Sequence, residues 1–522
     1  MKNVFITVSF NSLSTTLRKI KIAIGQIELV EGSPSKNEAA CDAMIDRALD
    51  EGADVLVLPN SLTDESDVKV IGLNDSRIDV AGNVVVVDVR GDSFRIGLGD
   101  HQEGCDLSIR ADLRPFNLEE GVREKGGSGI VLRPVGIRER GQKVLALAGG
   151  SRAFAQDGTC VLALGSDFQE DFGVVDFSQR VKLAADSDVS LLDAVVMSLK
   201  RFDEQVFSYA PKWVVGLSGG LDSSITTALL AMALGSERVL AYNMATRYNS
   251  TATKTNAAKL AEALGISLKN GSIEGLVVSM GNTLVRYGYP QDALKGLVLE
   301  NVQARTRANL LSTFAAVEGG VIVNNGNRVE CALGYATLYG DSIGAFAPIA
   351  DLTKVQLFDL AHQINGRFGF EVIPENLMPT ITDDELVWQT MPSAELANGQ
   401  LDPMKWFYHD WLVGKLLGDG KEQALPLYDE ACEIMQEYLE DRLASTPAAR
   451  WVAAYGLDEP AAFAEDLEWV VGSMKRSAFK RIQAPPALRI ASRASVGASA
   501  ESQSYQEPPV LYNALMRKIR LL

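Results

Sequence analysis

Short apolar runs separated by polar turns dominate the first 180 residues of the chain. The runs KIKIAIGQI, DVLVLP, NVVVVDV and VLALAGG have the length and composition of buried strands. The segment NEAACDAMIDRALDEGA has apolar residues at helical spacing and a glycine near its end. A strand, a helix and a strand in this order predict a layered α/β domain over residues 1–180.

From residue 188 the pattern changes to longer units in which strands and helices alternate. WVVGL, RVLAYNM and GVIVNNG are predicted strands, and SSITTALLAMALG and ATKTNAAKLAEALG are predicted helices. Such alternation predicts a parallel sheet with helices on both faces, and the ligands of such sheets bind beyond the carboxyl ends of the strands. We therefore expect a second domain over residues 188–522, which becomes helical and irregular after about residue 407.

Composition excludes several classes of partner. The chain has 522 residues, enough for two to four domains, and its net charge is −17. An acidic surface repels a phosphate backbone, so we expect no nucleic acid as a main partner. The apolar runs are too short to cross a bilayer and the N-terminal segment does not resemble a signal peptide, so we expect no membrane association and a cytoplasmic location. Five scattered cysteines and three histidines predict neither a disulfide framework nor a zinc site.

The segment VVGLSGGLDSS, residues 214–224, predicts a phosphate-binding loop. It joins a predicted strand to a predicted helix, its glycines let the backbone approach a ligand closely, and free N–H groups at the helix start attract an anion. Phosphate repels Asp222 unless a cation lies between them, so we predict that Asp222 is a magnesium ligand. A tight turn with a serine N-cap is the alternative interpretation. The residues predicted to surround the phosphate are Ser218, Gly219, Gly220, Ser223 and Ser224.

This loop resembles the SGGxDS pyrophosphate loop of the ATP pyrophosphatases, and later segments resemble one branch of that group, the NAD synthetases. The matching segments follow in the family's order: YNMATRYNS (242–250), ENVQARTRANLL (300–311), GNRVECALGYATLYGDSIGAFAPIADLTKVQ (326–356), PSAEL (392–396) and KRIQAPP (480–486). The C-terminal part is therefore identified as a member of the NAD synthetase family. The resemblance implies a Rossmann-like parallel sheet of the adenine nucleotide α-hydrolase-like type.

The resemblance also implies the reaction, which is the ATP- and Mg²⁺-dependent amidation of deamido-NAD⁺. AMP is transferred to the nicotinate carboxylate, and ammonia then attacks the mixed anhydride to give NAD⁺ and AMP after pyrophosphate has left. Catalysis of the first step is mostly positioning and neutralisation of charge on pyrophosphate.

Residue roles are implied by the same matches. Asp222 and Glu330 correspond to magnesium ligands, Lys354 to a lysine that reaches the ATP phosphates, and Asp341 to a group that receives ammonium and removes its proton. A surface charge at a helix start for Lys354, a surface helix position for Glu330 and a turn cap for Asp341 are the alternatives. The full ATP-binding set is Ser218, Gly219, Gly220, Asp222, Ser223, Ser224, Met244, Ser250, Asn325 and Lys354. The deamido-NAD⁺ set is Asn301, Arg305, Glu330, Asp341 and Lys480, and Arg307 is left out as an ordinary solvated cation.

The N-terminal part resembles the nitrilase-type glutaminase domain of glutamine-dependent NAD synthetases. The segments that match are IAIGQIELVEGSPSKN, GADVLVLPNSL, GCDLSIRADLRPFN and LALAGGSRAFAQDGTCVLALG. The resemblance implies a nitrilase-like αββα sandwich, here truncated, and a Glu, Lys and Cys triad. In this chain Asn60 takes the place of the Glu, the lysine segment is missing, and His101 lies near the place of the Cys, while Cys105 aligns with a structural position.

We therefore predict that glutaminase activity is lost and that ammonia is either free or handed over by a separate glutaminase partner. The degenerate domain then serves as a scaffold or in contacts within a homo-oligomer. The alternatives are a glutamine-dependent synthase with an atypical glutaminase that uses a residue such as Cys105, a different amide-forming ATP pyrophosphatase, and a non-catalytic scaffold.

Overall fold

A computed structural model describes residues 19–62, 67–99, 103–113, 116, 128–181, 189–381, 386–390, 393, 396, 402–419, 425–490, 504 and 506–522. The chain divides into two compact units. The first is Met1–Glu139 with Leu145–Gln205, and the second is Arg140–Val144 with Val206–Leu522. The sequence pattern predicts a division between residues 180 and 188, and in the structure the helix Leu191–Val206 belongs, up to Gln205, to the first unit.

The first unit is built mainly of strands. In chain order the strands of this part are β1 (Ile22–Gln26), β2 (Val55–Pro59), β3 (Val68–Gly72), β4 (Arg77–Ala81), β5 (Val84–Val89), β6 (Asp92–Leu98), β7 (Leu107–Ala111), β8 (Gly129–Leu132), β9 (Val135–Arg140), β10 (Lys143–Ala148), β11 (Arg152–Phe154), β12 (Cys160–Ala163) and β13 (Asp171–Val175). The helices are α1 (Pro34–Asp50) and α2 (Leu191–Val206). One sheet has the order β13-β1-β2-β3 and another the order β12-β11-β8-β7-β6-β5-β4.

These two sheets share a hydrophobic core. Ile24 and Val57 from the first sheet and Val87 and Ile109 from the second are fully buried in the same cluster. On its other face the four-stranded sheet packs against α1, whose buried Cys41, Met44 and Ala48 recur at helical spacing. The described residues thus form consecutive helix, sheet and sheet layers, as expected for a truncated sandwich.

The second unit begins with a parallel sheet of order β16-β15-β14-β17. Its strands are β14 (Lys212–Gly216), β15 (Val239–Ala245), β16 (Ser267–Ser272) and β17 (Gly320–Ile322), and the helices between them are α3 (Leu221–Leu234), α4 (Thr251–Leu264), α5 (Glu274–Arg286) and α6 (Gly296–Glu318). The central strand β14 has a fully buried WVV run, because helices cover both faces of a parallel sheet. The predicted strands WVVGL, RVLAYNM and GVIVNNG are confirmed as β14, β15 and β17.

The remainder of this unit is mostly helical, as the pattern predicted. Its helices are α7 (Arg328–Leu333), α8 (Lys354–Phe368), α9 (Tyr408–Leu416), α10 (Leu427–Leu439), α11 (Ala449–Ala454), α12 (Pro460–Arg476), α13 (Ala478–Ile482) and α14 (Val510–Arg520). Short strands are β18 (Thr380–Ile381), β19 (Leu386–Val387) and β20 (Ala487–Arg489), and 3₁₀ turns are Ser236–Arg238, Glu375–Leu377 and Arg442–Ser445. Over the described ranges we find no helix with the length and apolar character needed to span a bilayer.

Candidate functional site

The loop between β14 and α3 has a backbone conformation that requires glycine. β14 ends at Gly216 and α3 begins at Leu221. Gly219 lies between them with φ of +88°, and a Cβ at this position would be 1.9 Å from the carbonyl oxygen of Thr253. A side chain here would therefore collide with the backbone of the first turn of α4, and this close approach fixes the loop next to that helix.

Serine hydroxyls are concentrated in this loop and in the first turn of α3. Ser218 Oγ lies 3.1 Å from Ser223 Oγ and accepts a hydrogen bond of 3.2 Å from the Gly220 N–H. Ser224 Oγ is buried and has no hydrogen-bond partner among the described residues. An unpaired buried hydroxyl costs about 1–3 kcal/mol, whereas the hydroxyls of Ser218 and Ser223 and the N–H groups of the helix start would attract an anion.

A buried ion pair lies at the N-terminus of α3. Lys354 Nζ is 2.6 Å from Asp222 Oδ2, and Asn327 Nδ2 donates a bond of 3.4 Å to the other carboxylate oxygen. Lys354 is only 5% exposed although it is the first residue of α8. The pair places one cation and one anion beside the predicted phosphate loop. The burial of Lys354 does not agree with its interpretation as a surface charge.

Glu330 has both a structural partner and an electrostatic neighbour. It forms a capping box with Asn327: the Glu330 carboxylate accepts the Asn327 N–H at 3.1 Å, and Asn327 Oδ1 accepts the Glu330 N–H at 3.1 Å. Burial and the nearby Asp222 carboxylate raise the pKa of Glu330 well above its usual value, against the opposing effect of Lys354. Two carboxylates that repel each other in this way suit a shared cation.

The carboxylates of Asp222 and Glu330 fit a Mg²⁺ ion that is bound together with a nucleotide. Magnesium is typically bound by one or two carboxylates, with substrate phosphates and water completing its shell. In the part of the chain that the structure describes, no group of three or more His, Cys, Asp or Glu residues could hold a metal ion. A cation between Asp222 and Glu330 would therefore depend on oxygen atoms from a bound phosphate or from water.

A cavity of about 400 Å³ opens beyond the carboxyl ends of β14, β15 and β17. Gly216, Ala245 and Val323 mark those strand ends in its wall, which is the position expected for a ligand site in a parallel α/β sheet. The predicted site residues in the wall are Ser218, Gly220, Asp222, Ser223, Met244, Asn325, Glu330, Asp341 and Lys480.

The remaining predicted residues do not occur among the described residues of the wall. They are Gly219, Ser224, Ser250, Asn301, Arg305 and Lys354. Lys354 reaches the wall through its ion pair with Asp222. Ser250 caps α4, since its Oγ accepts a bond of 3.2 Å from the Thr253 N–H, and this contact belongs to the helix rather than to the cavity.

Asn301 and Arg305 hold a segment of the wall in place. Thr337 Oγ1 donates a bond of 2.9 Å to Asn301 Oδ1, and Arg305 Nε donates one of 3.1 Å to the Leu338 carbonyl. The same segment continues to Asp341, whose Oδ1 accepts the Thr337 N–H at 2.5 Å. Asn301 and Arg305, two of the five residues predicted to contact deamido-NAD⁺, thus contact the segment that positions Asp341.

Lys480 lies at the same end of the cavity as Asp341. Its Nζ donates to the carbonyl oxygens of Gly334 and Ala336 at 2.8 and 2.7 Å. Burial lowers the pKa of Lys480, and the Asp341 carboxylate opposes this effect. The wall of this cavity therefore contains the loop between β14 and α3 with Asp222, and also a carboxylate and an ammonium, Asp341 and Lys480.

Arg307 lines the cavity, although it was not included among the residues predicted to bind a ligand. It lies in the wall and its Nε donates a bond of 3.1 Å to the Met244 carbonyl. Ala304 and Leu311, three residues before it and four after it on α6, also line the cavity. That helical spacing places Arg307 on the inner face, and it is the signal in the sequence that would have separated Arg307 from Arg305.

In the first unit, Asn60 directly follows β2 and its side chain donates a bond of 2.8 Å to Asp67 Oδ1. A cavity of about 320 Å³ lies beside it. Cys41 and Lys69 also line that cavity, with Lys69 Nζ 3.3 Å from Cys41 Sγ. An amide rather than a carboxylate therefore stands at position 60, while the Asp67 carboxylate contacts it and a thiol and an amine lie nearby.

The two other positions considered for glutaminase chemistry differ in what the structure describes. Cys105 is partly exposed, and its Sγ lies 3.6 Å from the Glu103 carbonyl oxygen. Desolvation raises the pKa of the Cys105 thiol, with Arg95 acting in the opposite direction, and a nucleophile needs the reverse shift. His101 lies outside the described residues.

Comparisons with known proteins agree with this architecture. A profile of the NAD synthase family matches residues 196–412. The glutamine-dependent NAD(+) synthetase of Xanthomonas campestris is 30% identical over 417 residues, which are 75% of this chain and 66% of that protein. The enzyme of the same name from Thermotoga maritima is 31% identical over 291 residues, or 54% of this chain and 42% of that protein. The chain thus matches about two thirds or less of the length of these relatives.

Solved structures have the same fold over nearly the whole chain. A glutamine-dependent NAD(+) synthetase from Cytophaga hutchinsonii superposes with a TM-score of 0.63 at 13% identity, covering 96% of this chain and 99% of that one. The corresponding synthetase from Acinetobacter baumannii, in complex with ADP, gives a TM-score of 0.54 at 20% identity, covering 94% and 98%. At these identities the superpositions show the fold alone. The chain therefore belongs to the NAD synthetase family, and it has the fold of the two-domain members, a nitrilase-like unit followed by an NAD synthase domain.

Proposed function

We propose that the chain is an NAD⁺ synthase that amidates deamido-NAD⁺ with ammonia, using ATP and Mg²⁺. The observation that supports this most directly is the convergence of Asp222, Glu330 and Lys354 at the phosphate loop. These residues come from three helices of the NAD synthase domain. The wall of the same cavity also contains Asp341 and Lys480, which suits a substrate that has both an anionic group and a reacting carboxylate.

In the adenylation step the chain has to bind the departing pyrophosphate. The loop N–H groups, the hydroxyls of Ser218 and Ser223 and the Lys354 ammonium supply donors for its oxygen atoms. Mg²⁺ held by Asp222 and Glu330 would neutralise negative charge on the phosphates. The stiff loop, which Gly219 keeps against α4, holds these donors in one arrangement before the substrate arrives.

In the amination step the chain has to supply a neutral amine and accept a proton. Asp341 is the carboxylate in the cavity wall that serves this role, because only the unprotonated amine is a nucleophile. Thr337, Asn301 and Arg305 hold its segment in place. Lys480 and Arg307 supply positive charge near the same substrate, which is itself an anion.

Ammonia is proposed as the nitrogen source because Asn60 stands where the glutaminase base is needed. An amide cannot accept a proton as a carboxylate does, and the raised pKa of the Cys105 thiol disfavours a thiolate. The rival observation is the contact between Cys41 and Lys69 beside Asn60, which leaves a thiol and an amine in one cavity of the first unit. A glutamine-dependent synthase that uses this pair is therefore the second candidate.

The deciding experiment measures NAD⁺, AMP and pyrophosphate formed by the purified chain from ATP, Mg²⁺ and deamido-NAD⁺, with either ammonium or glutamine. We expect all three products with ammonium and no glutamine-driven rate above the ammonium contamination. Asp222→Asn should lower the ammonium rate by about 10²–10³-fold. Asp292→Asn, an exposed carboxylate in the same unit, is the matched control and should leave the rate unchanged.

Other outcomes identify the alternatives. A glutamine-driven rate that Cys41→Ala or Cys105→Ala abolishes, with the ammonium rate intact, would establish a surviving glutaminase and name its nucleophile. AMP formation with another carboxylate but not with deamido-NAD⁺ would point to a different ATP pyrophosphatase. Absence of Mg²⁺-dependent ATP binding in calorimetry would favour a non-catalytic scaffold.

A further inference from the structure

The turn that precedes α9 contacts the buried lysine of the site. Lys354 Nζ lies 4.6 Å from the centre of the Trp406 ring, and both side chains are almost fully buried. The ring lies within the range at which the negative face of an indole attracts a cation. The Lys354 ammonium therefore contacts the Trp406 ring as well as the Asp222 carboxylate.

The residue next to Trp406 has an unusual backbone conformation. Phe407 has φ of +71° and ψ of −48°, a region that bulky residues rarely adopt and that corresponds to a strained γ-turn. Such conformations persist only where the surroundings enforce them, and they are concentrated at functional sites. The contacts around Phe407 must therefore hold its backbone in this conformation.

One carboxylate joins the strained turn to the lysine helix. Asp410 Oδ2 accepts the Phe407 N–H at 3.0 Å, and Asp410 Oδ1 accepts the Lys354 N–H at 2.8 Å. Asp410 is itself buried, so both bonds are shielded from water. The starts of α8 and α9 are therefore held together at the point where Trp406 contacts Lys354.

A buried histidine and aspartate hold the other side of the turn. His409 Nδ1 accepts the Lys405 N–H at 2.9 Å, so the proton of the neutral ring is on Nε2, which lies 3.1 Å from Asp466 Oδ2. Lys405 Nζ forms an ion pair with the same Asp466, which lies on α12. His409 is fully buried and Asp466 nearly so.

Aromatic packing leaves the turn little freedom. The Phe407 ring stacks on Trp451 at 4.6 Å between centroids and an angle of 25°. Tyr455 OH donates a bond of 3.2 Å to the Trp406 carbonyl. The side chain and backbone on both sides of the strained residue are thus held by α11 and its flank.

We infer that the segment Lys405–Asp410 holds the Trp406 indole in contact with Lys354 and so orients the Lys354 ammonium towards the phosphates of ATP. Trp406, His409 and Asp466 are its positioning residues. The inference rests on the proposed function. A cation at Asp222 and Glu330 would compete with Lys354 for Asp222, and the indole face keeps the ammonium in place when that carboxylate is shared.

The experiment compares Trp406→Leu with Trp411→Leu, Trp406→Phe and His409→Asn. Trp411 is the matched control, because it lies only five residues further along the chain, on α9, and its ring contacts Lys415, 6.0 Å from the ring centre, instead of Lys354. For each protein we would measure the Kd of MgATP by calorimetry without deamido-NAD⁺, and then KM for MgATP and for deamido-NAD⁺. Circular dichroism verifies that each variant is folded.

We expect Trp406→Leu to raise the Kd and KM of MgATP about tenfold, with KM for deamido-NAD⁺ unchanged. Trp406→Phe should retain most of the affinity, because it keeps an aromatic face. His409→Asn should weaken MgATP in the same direction, since an amide can accept the Lys405 N–H but loses the contact with Asp466. Trp411→Leu should match the wild type.

A double-mutant cycle distinguishes positioning of Lys354 from general damage. In a Lys354→Met background, Trp406→Leu should weaken MgATP no further. Unchanged MgATP affinity in both Trp406→Leu and His409→Asn would overturn the inference, as would an equal rise in KM for both substrates. If Trp406→Leu does not fold, the MgATP affinities of Trp406→Phe and His409→Asn decide whether the inference holds. Because MgATP binding is measured without turnover, failure of the inference is distinct from failure to make NAD⁺.

Discussion

Glu330 combines two roles that a single substitution can separate. Its carboxylate caps α7 through the Asn327 N–H, and its charge lies close to Asp222. Glu330→Gln keeps an acceptor for the cap but removes the charge. Because burial and Asp222 disfavour that charge, the variant should unfold at the same temperature as the wild type or higher. Its Mg²⁺-dependent turnover should fall about 10²–10³-fold.

Thermal unfolding and steady-state rates over a Mg²⁺ titration test both halves of this prediction. Glu330→Ala is the comparison variant, since it loses the cap as well and should be destabilised by about 1 kcal/mol. A Glu330→Gln protein with the Mg²⁺ dependence of the wild type would show that the carboxylate has only a capping role.

We expect Asp402 to make the free energy of unfolding depend on pH. Burial raises its pKa from 3.8 to about 6, and the Lys354 charge only partly offsets this effect. A folded pKa above the unfolded one means that stability is fully present below about pH 4 and is lost as pH rises through about 6. Relative to Asp402→Asn, the unfolding free energy of the wild type should therefore fall by about 3 kcal/mol between about pH 4 and about pH 7.

Denaturant unfolding of the wild type and of Asp402→Asn at a series of pH values, with EDTA present to exclude metal ions, measures this difference. A difference in unfolding free energy that stays constant from about pH 4 to about pH 7 would contradict the raised pKa of Asp402.

At the scale of single elements, the loop between β14 and α3 depends on glycine at one position. Gly219→Ala would place a methyl group 1.9 Å from the Thr253 carbonyl oxygen at φ of +88°. The left-handed conformation alone costs about 1–2 kcal/mol, and the collision adds to that. We expect an unfolding free energy lower by more than about 2 kcal/mol and MgATP binding weakened by at least about tenfold.

Gly265→Ala provides a matched control for this prediction. Gly265 has φ of +64° at the end of α4, and a Cβ there meets no atom within 4 Å. It should lose only about 1 kcal/mol of stability and keep its MgATP affinity. Equal effects of the two substitutions, measured by denaturant unfolding and calorimetry, would show that conformational strain and not the contact with α4 matters.

Strands were predictable where burial marks them in the sequence. β14 and β15 have apolar runs because most of their side chains are buried or half-buried, and the half-buried β17 has the short apolar run GVI. β16, with the sequence SLKNGS, was not predicted. It pairs only with β15, at the edge of the sheet, and most of its side chains are exposed, so no apolar pattern distinguishes it from a loop.

The site also has one part that the sequence reveals and another that only the structure shows. The phosphate loop is contiguous, so one segment contains its glycines, serines and Asp222. Trp406 is far from it along the chain and contacts Lys354 because the starts of α8 and α9 are joined there. Nothing in the residues around Trp406 indicates a lysine 52 positions earlier, and only tertiary structure shows their contact.

At the scale of the whole molecule, the proposed function requires an acidic chain to bind anionic substrates. The net charge is −17, yet cations from different elements line or adjoin one cavity: Arg307 on α6, Lys354 on α8 and Lys480 on α13. Beyond about 8–10 Å salt screens the negative surface, while buried or partly buried pairs are screened much less. Under the proposed function, nucleotide binding would therefore depend on the local placement of these cations and not on the total charge.

The tryptophans allow ligand binding to be followed in the second unit alone. All of them lie there: Trp213, Trp388, Trp406, Trp411, Trp451 and Trp469. A ligand that binds only the folded state at 100 times its Kd adds about 2.7 kcal/mol to the unfolding free energy. MgATP should therefore raise the midpoint of thermal unfolding, monitored by tryptophan fluorescence, by several degrees. Asp222→Asn should remove most of this shift, whereas Asp292→Asn should retain it. A midpoint that saturating MgATP leaves unchanged, or a full shift in Asp222→Asn, would show that the loop at the start of α3 is not where the nucleotide binds.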